Sequence, residues 1–178
     1  MIDPFVDEIL FTEEQIQRRV RSLADEISRD YQGRTVVLIA LLRGAVFFAT
    51  DLARLIRVPV AMDFLSISSY ADGSEGVVRI TKDLEENISG KDVLVIEDIV
   101  DTGFTLRYLL KTLEHRNPSS MEVCALFDRR ARRIIDIQLR YVGFEIPDRF
   151  VVGYGLDFRQ LYRGLPYVAV LKPEVVKR

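Results

Sequence analysis

The chain has 178 residues, of which 48% are hydrophobic and 29% charged, and its formal net charge is −2 at pH 7. These proportions suit a soluble globular protein, and the near balance of charge gives no general pull toward nucleic acid. A chain of this size buries roughly 70% of its unfolded surface, so residues 1–178 are expected to form one domain, with a small appended lobe, needing neither disulfide nor structural metal. The only cysteine, Cys124, cannot form an internal bridge, which suits a reducing cytosol, and the only histidine, His115, excludes a multi-histidine zinc site. Met1-Ile2-Asp3-Pro4 lacks the pattern of a signal peptide, and the apolar run at 36–42 is too short to span a bilayer. A cytoplasmic setting without a membrane partner is expected.

Residues 13–31 place Ile16, Val20, Leu23, Ala24 and Ile27 at helical spacing, with Thr12 and Gln15 as a capping box and Gly33 as a stop. Residues 35–41 read as a buried strand, Leu42-Arg43-Gly44-Ala45 as a strand-to-helix loop, and a helix continues to about Ile56. Pro59 opens a strand reaching Ile67, so two strand–helix–strand units imply right-handed crossovers and a parallel sheet. Residues 68–76 are small, polar and glycine-containing and read as a mobile loop, followed by a short strand at 77–81.

The stretch around which the chain is organised comes next: Val93-Leu94-Val95-Ile96-Glu97-Asp98-Ile99-Val100-Asp101-Thr102-Gly103-Phe104-Thr105. A buried strand runs into two adjacent carboxylates, then a turn with Gly103 where the backbone must bend freely, then helical spacing at Leu106, Leu109, Leu110 and Leu113. A helix N-terminus offers unpaired N–H groups and a positive dipole end, which suits a phosphate. Glu97, Asp98 and Asp101 would repel a bare phosphate, and three carboxylates on one loop are costly without a cation or donors. Both features make sense if the ligand carries a phosphate at one end and, nearby, a diol or a magnesium ion. A phosphorylated sugar fits.

After Asn117-Pro118, residues 121–127 read as a strand holding Cys124 as a small core residue. Asp128-Arg129-Arg130-Ala131-Arg132-Arg133 is the densest basic cluster, on composition a solvated face or an RNA patch. Residues 137–142 and 150–154 read as strands joined through a turn at Pro147, Gly153-Tyr154-Gly155-Leu156-Asp157 as a turn, and 166–171 as the last strand. Gly153-x-Gly155 lacks the third glycine of the dinucleotide fingerprint. The order predicts an α/β fold, a doubly wound and mainly parallel sheet flanked by helices, with ligands at the C-terminal ends of the strands.

The 93–105 stretch closely resembles the 5-phosphoribosyl-1-pyrophosphate (PRPP) motif of the type I phosphoribosyltransferases, and the resemblance extends over nearly the whole chain. It implies a small hood lobe beside the sheet. It also implies that Asp101, Thr102, Gly103, Phe104 and Thr105 wrap the 5′-phosphate, that Glu97 and Asp98 lie by the ribose hydroxyls and Mg2+, and that Asp101 is the general base. Leu42-Arg43-Gly44 is similar to the Leu-Lys-Gly pyrophosphate loop of the hypoxanthine-guanine group, which carries a cis peptide, here between Leu42 and Arg43. Ser69-Tyr70 matches that group's catalytic lid, in a loop shorter than is common. Residues 150–157 are the most group-specific. Through them the resemblance implies that Phe150 stacks on the purine, the Val151 backbone meets its edge and Asp157 approaches the metal, while Arg163 reaches pyrophosphate. Taken alone, Phe150 would be read as core and Arg163 as surface.

The group usually has Lys where this chain has Arg129, so Arg129 is expected to read the purine 6-oxo group. The implied activity is magnesium-dependent transfer of the phosphoribosyl group to hypoxanthine, and to guanine, in a homodimer or homotetramer. Two rivals remain: a xanthine-preferring transferase, and a PRPP-sensing regulator that binds nucleic acid through the 129–133 arginines. The loop carboxylates and Phe150 argue against the second, and no nucleic-acid partner is expected.

Overall fold

The structure, a computed structural model, describes residues 4–70 and 77–176. The capping box forms as the sequence demands. The Gln15 N–H donates to Thr12 Oγ1 at 3.3 Å, and the Thr12 N–H donates to Gln15 Oε1 at 2.8 Å. These bonds satisfy two donors that a bare helix start would leave unpaired and open α1 (Glu13–Asp30). Its apolar stripe, from Ile16 to Ile27, is fully buried.

The main sheet contains β2 (Val36–Leu42), β3 (Val60–Tyr70), β4 (Val77–Lys82), β5 (Asp92–Val100), β6 (Ser120–Asp128) and β7 (Tyr141–Glu145), in the order β4-β3-β2-β5-β6-β7. All neighbours are parallel except β3 and β4. The helix α2 (Ala45–Leu55) joins β2 to β3, and α3 (Phe104–Glu114) joins β5 to β6. The chain therefore leaves β2 toward one edge of the sheet and β5 toward the other, and right-handed crossovers put α2 and α3 on opposite faces. Covering both faces explains why β2 reads as a continuous apolar run, with Val36 to Leu41 all buried. Each such side chain contributes roughly 1.5–3 kcal/mol. Cys124 lies fully buried in β6, and burial pushes its thiol pKa up, so it is a packing residue.

A second sheet, antiparallel and three-stranded, forms the hood: β1 (Val6–Phe11), β9 (Val168–Leu171) and β8 (Val151–Val152), in the order β1-β9-β8. It is seated on the main sheet by aromatic contacts. The Phe11 ring centroid lies 4.2 Å from that of Phe144 and 5.8 Å from that of Phe127.

Three expectations need correction. The strand at 137–142 starts only at Tyr141 and runs to Glu145. Ile137-Gln138-Leu139-Arg140 has strand-like alternation, but Ile137 packs toward Gly103 instead of pairing. The strand at 150–154 shrinks to Val151–Val152 and belongs to the hood, because Gly153 and Tyr154 take φ of +100° and +45° and bend the chain away. β1 had no counterpart in the sequence reading. Its alternation is masked by Asp7 and Glu8, which instead pair with Arg149 at 3.1 and 2.7 Å.

β2 and β5 are adjacent, yet their following connections diverge. This is the topological switch point where an open α/β sheet leaves a crevice at its carboxyl edge. The chain's chemistry collects there.

Candidate functional site

Three loops meet at the switch point. The first follows β2, where the peptide between Leu42 and Arg43 is cis, as the resemblance implied. Its next residue, Gly44, has no room for a side chain: a Cβ there would fall 1.6 Å from Asp98 Oδ2 and 3.1 Å from the Gly155 carbonyl oxygen. Gly155 in turn has φ +99°, and its Cβ would fall 2.2 Å from the Gly44 carbonyl. Gly44 thus leaves the space that the Asp98 carboxylate occupies, whereas Gly155 is demanded by close backbone approach and by its φ. The crevice they frame is about 200 Å³ and is lined by Arg43, Gly44, Glu97, Asp98, Thr105 and Arg163, among others. All six were singled out from the sequence.

The crevice is electrostatically unfinished. Burial, then the Asp98 charge, holds the Glu97 carboxyl well above the usual carboxylate range. Burial pushes Asp98 up to about 6, against the opposing effects of the Ile99 N–H, which donates to Asp98 Oδ1 at 2.8 Å, and of Arg163. Arg163 is committed elsewhere. Its Nη2 lies 2.6 Å from Asp157 Oδ1 and its Nη1 donates to the Gly155 carbonyl at 2.7 Å, while its Nε is buried without a partner. Among the described residues no three His, Cys, Asp or Glu side chains are gathered to hold a metal ion. Glu97 and Asp98 stand together, whereas Asp157 is tied to Arg163 and accepts the Gln160 N–H at 2.8 Å.

The second loop follows β5. Gly103, with φ +89°, is the N-cap of α3 and supplies no side-chain bond, so neither Thr102 nor Thr105 caps the helix. Phe104 is exposed. Asp101 is met by Arg129, which sits at the end of β6. Arg129 Nη1 donates to Asp101 Oδ2 at 3.2 Å and lies 3.1 Å from Oδ1, and Nη2 donates to the Arg149 carbonyl at 3.0 Å. The Arg129 side chain is 7% exposed and its Nε is buried without a partner. Arg129 thus bridges the loop after β5 to the residue preceding Phe150. Its neighbours are not a uniform solvated face: Arg132 pairs with Asp148 and Arg133 with Asp128, leaving Arg130 the most exposed of the four.

The third loop carries Phe150, which is 41% exposed and meets Phe158 edge-on with centroids 5.6 Å apart. It is not a core residue, as its type alone suggested. Val151 beside it is buried and paired to Val170. The backbone of Ser69 and Tyr70 ends β3, opposite Val78 and Val77. The rest of the expected lid, 71–76, lies outside the described residues, as do the Ser69 and Tyr70 side chains. Sequence reasoning missed Gln160, whose Oε1 accepts from Arg43 at 3.0 Å and Arg163 at 3.2 Å. A glutamine in a turn carries no signal of that kind. It also missed Gly155, whose positive φ was hinted at only by Gly153-x-Gly155.

A crevice lined by an acidic pair and the first turn of a helix, with an exposed aromatic on a loop at the same sheet edge, suits a ligand with phosphate, sugar and planar base portions. Comparison with known proteins points the same way. The chain is 48% identical over 170 residues to the hypoxanthine-guanine phosphoribosyltransferase of Staphylococcus aureus (strain Mu50 / ATCC 700699), covering 94% of this chain and 95% of that protein. The crystal structure of a Staphylococcus aureus hypoxanthine phosphoribosyltransferase superposes with a TM-score of 0.93 at 46% identity, over 96% of this chain and 94% of that one. A Trypanosoma cruzi hypoxanthine phosphoribosyl transferase superposes with a TM-score of 0.94 at 39% identity, over 99% and 97%. Residues 7–159 match the model of the phosphoribosyl transferase domain, a span that holds the turn after β5, Phe150 and every residue named above as lining the crevice except Arg163, and the chain belongs to that family.

Proposed function

We propose that the protein is a purine salvage enzyme that joins hypoxanthine or guanine to PRPP, giving the nucleoside 5′-monophosphate and pyrophosphate. The observation that carries this is the meeting, in one crevice at the switch point, of the acidic pair with the first turn of α3, beside an Asp101–Arg129 pair tied to the residue preceding Phe150. The names of its relatives support the same chemistry.

In this reading the turn from Thr102 to Thr105 and the start of α3 hold the 5′-phosphate. Glu97 and Asp98 face the ribose diol, and Arg43, Gly44 and Arg163 hold pyrophosphate. The bond between the anomeric carbon and pyrophosphate breaks as the bond to the purine nitrogen forms, and Asp101 takes the proton that the purine ring loses. Phe150 stacks on the base, the Val151 backbone meets its edge, and Arg129 donates to its 6-oxo group. Ser69 and Tyr70 act as a lid that excludes water, which otherwise competes as nucleophile.

Mg2+ fits the donor set. Two half-buried carboxylates whose charge no protein cation fully offsets call for a cation, and this ion commonly takes one or two carboxylates plus substrate oxygens. Glu97 and Asp98 would hold it, with Asp157 near, and when bound it offsets the charge developing on the leaving pyrophosphate. No helix among the described residues is long and apolar enough to cross a membrane. Steady-state turnover of hypoxanthine, guanine, xanthine and adenine with PRPP, with Mg2+ or with excess chelator, tests the proposal. Hypoxanthine and guanine should be used only with the metal. Turnover undiminished in chelator removes the metal role, and xanthine outpacing both supports the rival substrate.

A further inference from the structure

A turn can aim its N–H groups at an anion only if its carbonyls are taken up on the other side. In a trans peptide the C=O and the following N–H point in opposite directions. In the turn after β5, three consecutive carbonyls are captured by residues 129–135. Val100 O accepts the Arg129 N–H at 3.0 Å. Asp101 O accepts Arg133 Nε at 2.9 Å. Thr102 O accepts the N–H groups of Ile134 and Ile135 at 3.1 and 3.0 Å. The N–H groups of Asp101, Thr102 and Gly103 are thereby turned away from that segment. No hydrogen bond found among the described residues takes up the N–H of residues 102–105.

Only the middle capture depends on a side chain. Arg133 also reaches Val100 O at 3.4 Å and is fixed by its ion pair with Asp128, the two side chains being 15% and 10% exposed. It lies beneath the turn, not in the crevice, and does not line that cavity.

We infer that Arg133 is a positioning residue for the phosphate-binding turn: by holding the Asp101 carbonyl it aims the Thr102 N–H at the 5′-phosphate of PRPP and of the product nucleotide. The inference rests on the proposed function. It gives the innermost arginine of the basic cluster a role in recognising a phosphate monoester without touching it, and it separates that role from Arg129, which faces the base.

The test uses the full chain with Arg133→Gln, Arg133→Lys and Asp128→Asn. Steady-state kinetics gives KM for PRPP and for hypoxanthine, and calorimetry gives the affinity for inosine 5′-monophosphate and for inosine. For Arg133→Gln, KM for PRPP should rise about tenfold, the scale of one lost charge-assisted hydrogen bond, with KM for hypoxanthine within about twofold. Inosine 5′-monophosphate should weaken by about the same factor while inosine binding is kept. Arg133→Lys, which retains a cationic donor, should recover part of the loss. If Arg133→Gln fails to fold, the same selective loss, smaller in size, is expected of Arg133→Lys and Asp128→Asn. Equal changes for both substrates, equal weakening of nucleotide and nucleoside, or no change in the folded variants overturns the inference. A wild-type protein without PRPP-dependent turnover would instead overturn the proposed function.

Discussion

Arg129 offers the sharpest test of how this site reads its base. A guanidinium has five N–H groups. One on Nη1 is spent on Asp101 and one on Nη2 on the Arg149 carbonyl, and Nε is buried without a partner. One further N–H remains on each terminal nitrogen, and a guanidinium is of the type that can meet the 6-oxo and N7 acceptors of hypoxanthine or guanine together. Adenine presents a donor at that position and would face a donor–donor conflict. A bidentate contact of this kind is worth about 1–3 kcal/mol, or roughly 5- to 150-fold. Arg129→Ala should therefore raise the hypoxanthine KM within that range at saturating PRPP. Arg129→Lys should fall between, since one ammonium cannot keep the Arg149 bond, the Asp101 pair and two purine contacts. Arg130→Ala and Arg132→Ala should change KM little, because those side chains are 73% and 50% exposed, the Arg130 pair is long at 3.9 Å and the Arg132 pair lies in solvent. Equal, small effects at all three positions would refute the reasoning, and adenine turnover comparable to that of hypoxanthine would reject the 6-oxo contact itself.

Asp101→Asn should lower kcat by about 10²-fold or more with the PRPP KM little changed, and single-turnover rates within a few-fold of wild type would remove it as the base. Burial pushes Asp98 from its ordinary 3.8 up to about 6, so the folded state binds its proton more tightly than the unfolded chain. Its contribution favours folding below about pH 4 and is lost as pH rises to about 6. In excess chelator at pH 7, Asp98→Asn should be more stable than wild type, because the wild-type protein must there hold a partly buried carboxylate charge beside Glu97. That advantage should shrink on acidification through the same window, and a difference independent of pH in thermal unfolding would contradict it. Gly44→Ala puts a methyl where Asp98 Oδ2 now stands, 1.6 Å from the new Cβ. Overpacking of this kind costs about 1–3 kcal/mol in stability, and displacement of Asp98 should remove most turnover. A variant with wild-type kcat/KM would show that the close approach of the two loops does not matter.

The turn from Glu97 to Thr105 was legible in the sequence because its chemistry is local. A buried strand, an acidic pair, a glycine and a helix start are contiguous, and their order along the chain is their order in space. The capping box at Thr12 and the apolar runs of β2 and β6 were legible for the same reason, since helical and strand periodicities act within one element. The resemblance added what no periodicity carries, including the hood and an expectation that Phe150 lies outside the core, where it is 41% exposed. Other features were decided only when distant segments met. Residues 137–140 alternate like a strand but Ile137 packs toward the turn after β5, and β1 hides its alternation behind two acids that pair with Arg149. Nothing in a run of arginines says that Arg129 faces Asp101, that Arg133 faces a carbonyl or that Arg130 faces water. Nor does Gly44 announce that Asp98 and Gly155 will close on it. Those outcomes follow from the strand order, which sets β2 beside β5 and β5 beside β6, and from the hood, which brings residues 149–157 over their ends. Local pattern determined α1, the central strands of the main sheet and where the charged turn lies, whereas tertiary packing decided the edge elements and the partner of each charge, because that choice depends on which strand ends the sheet brings within a few ångströms of one another.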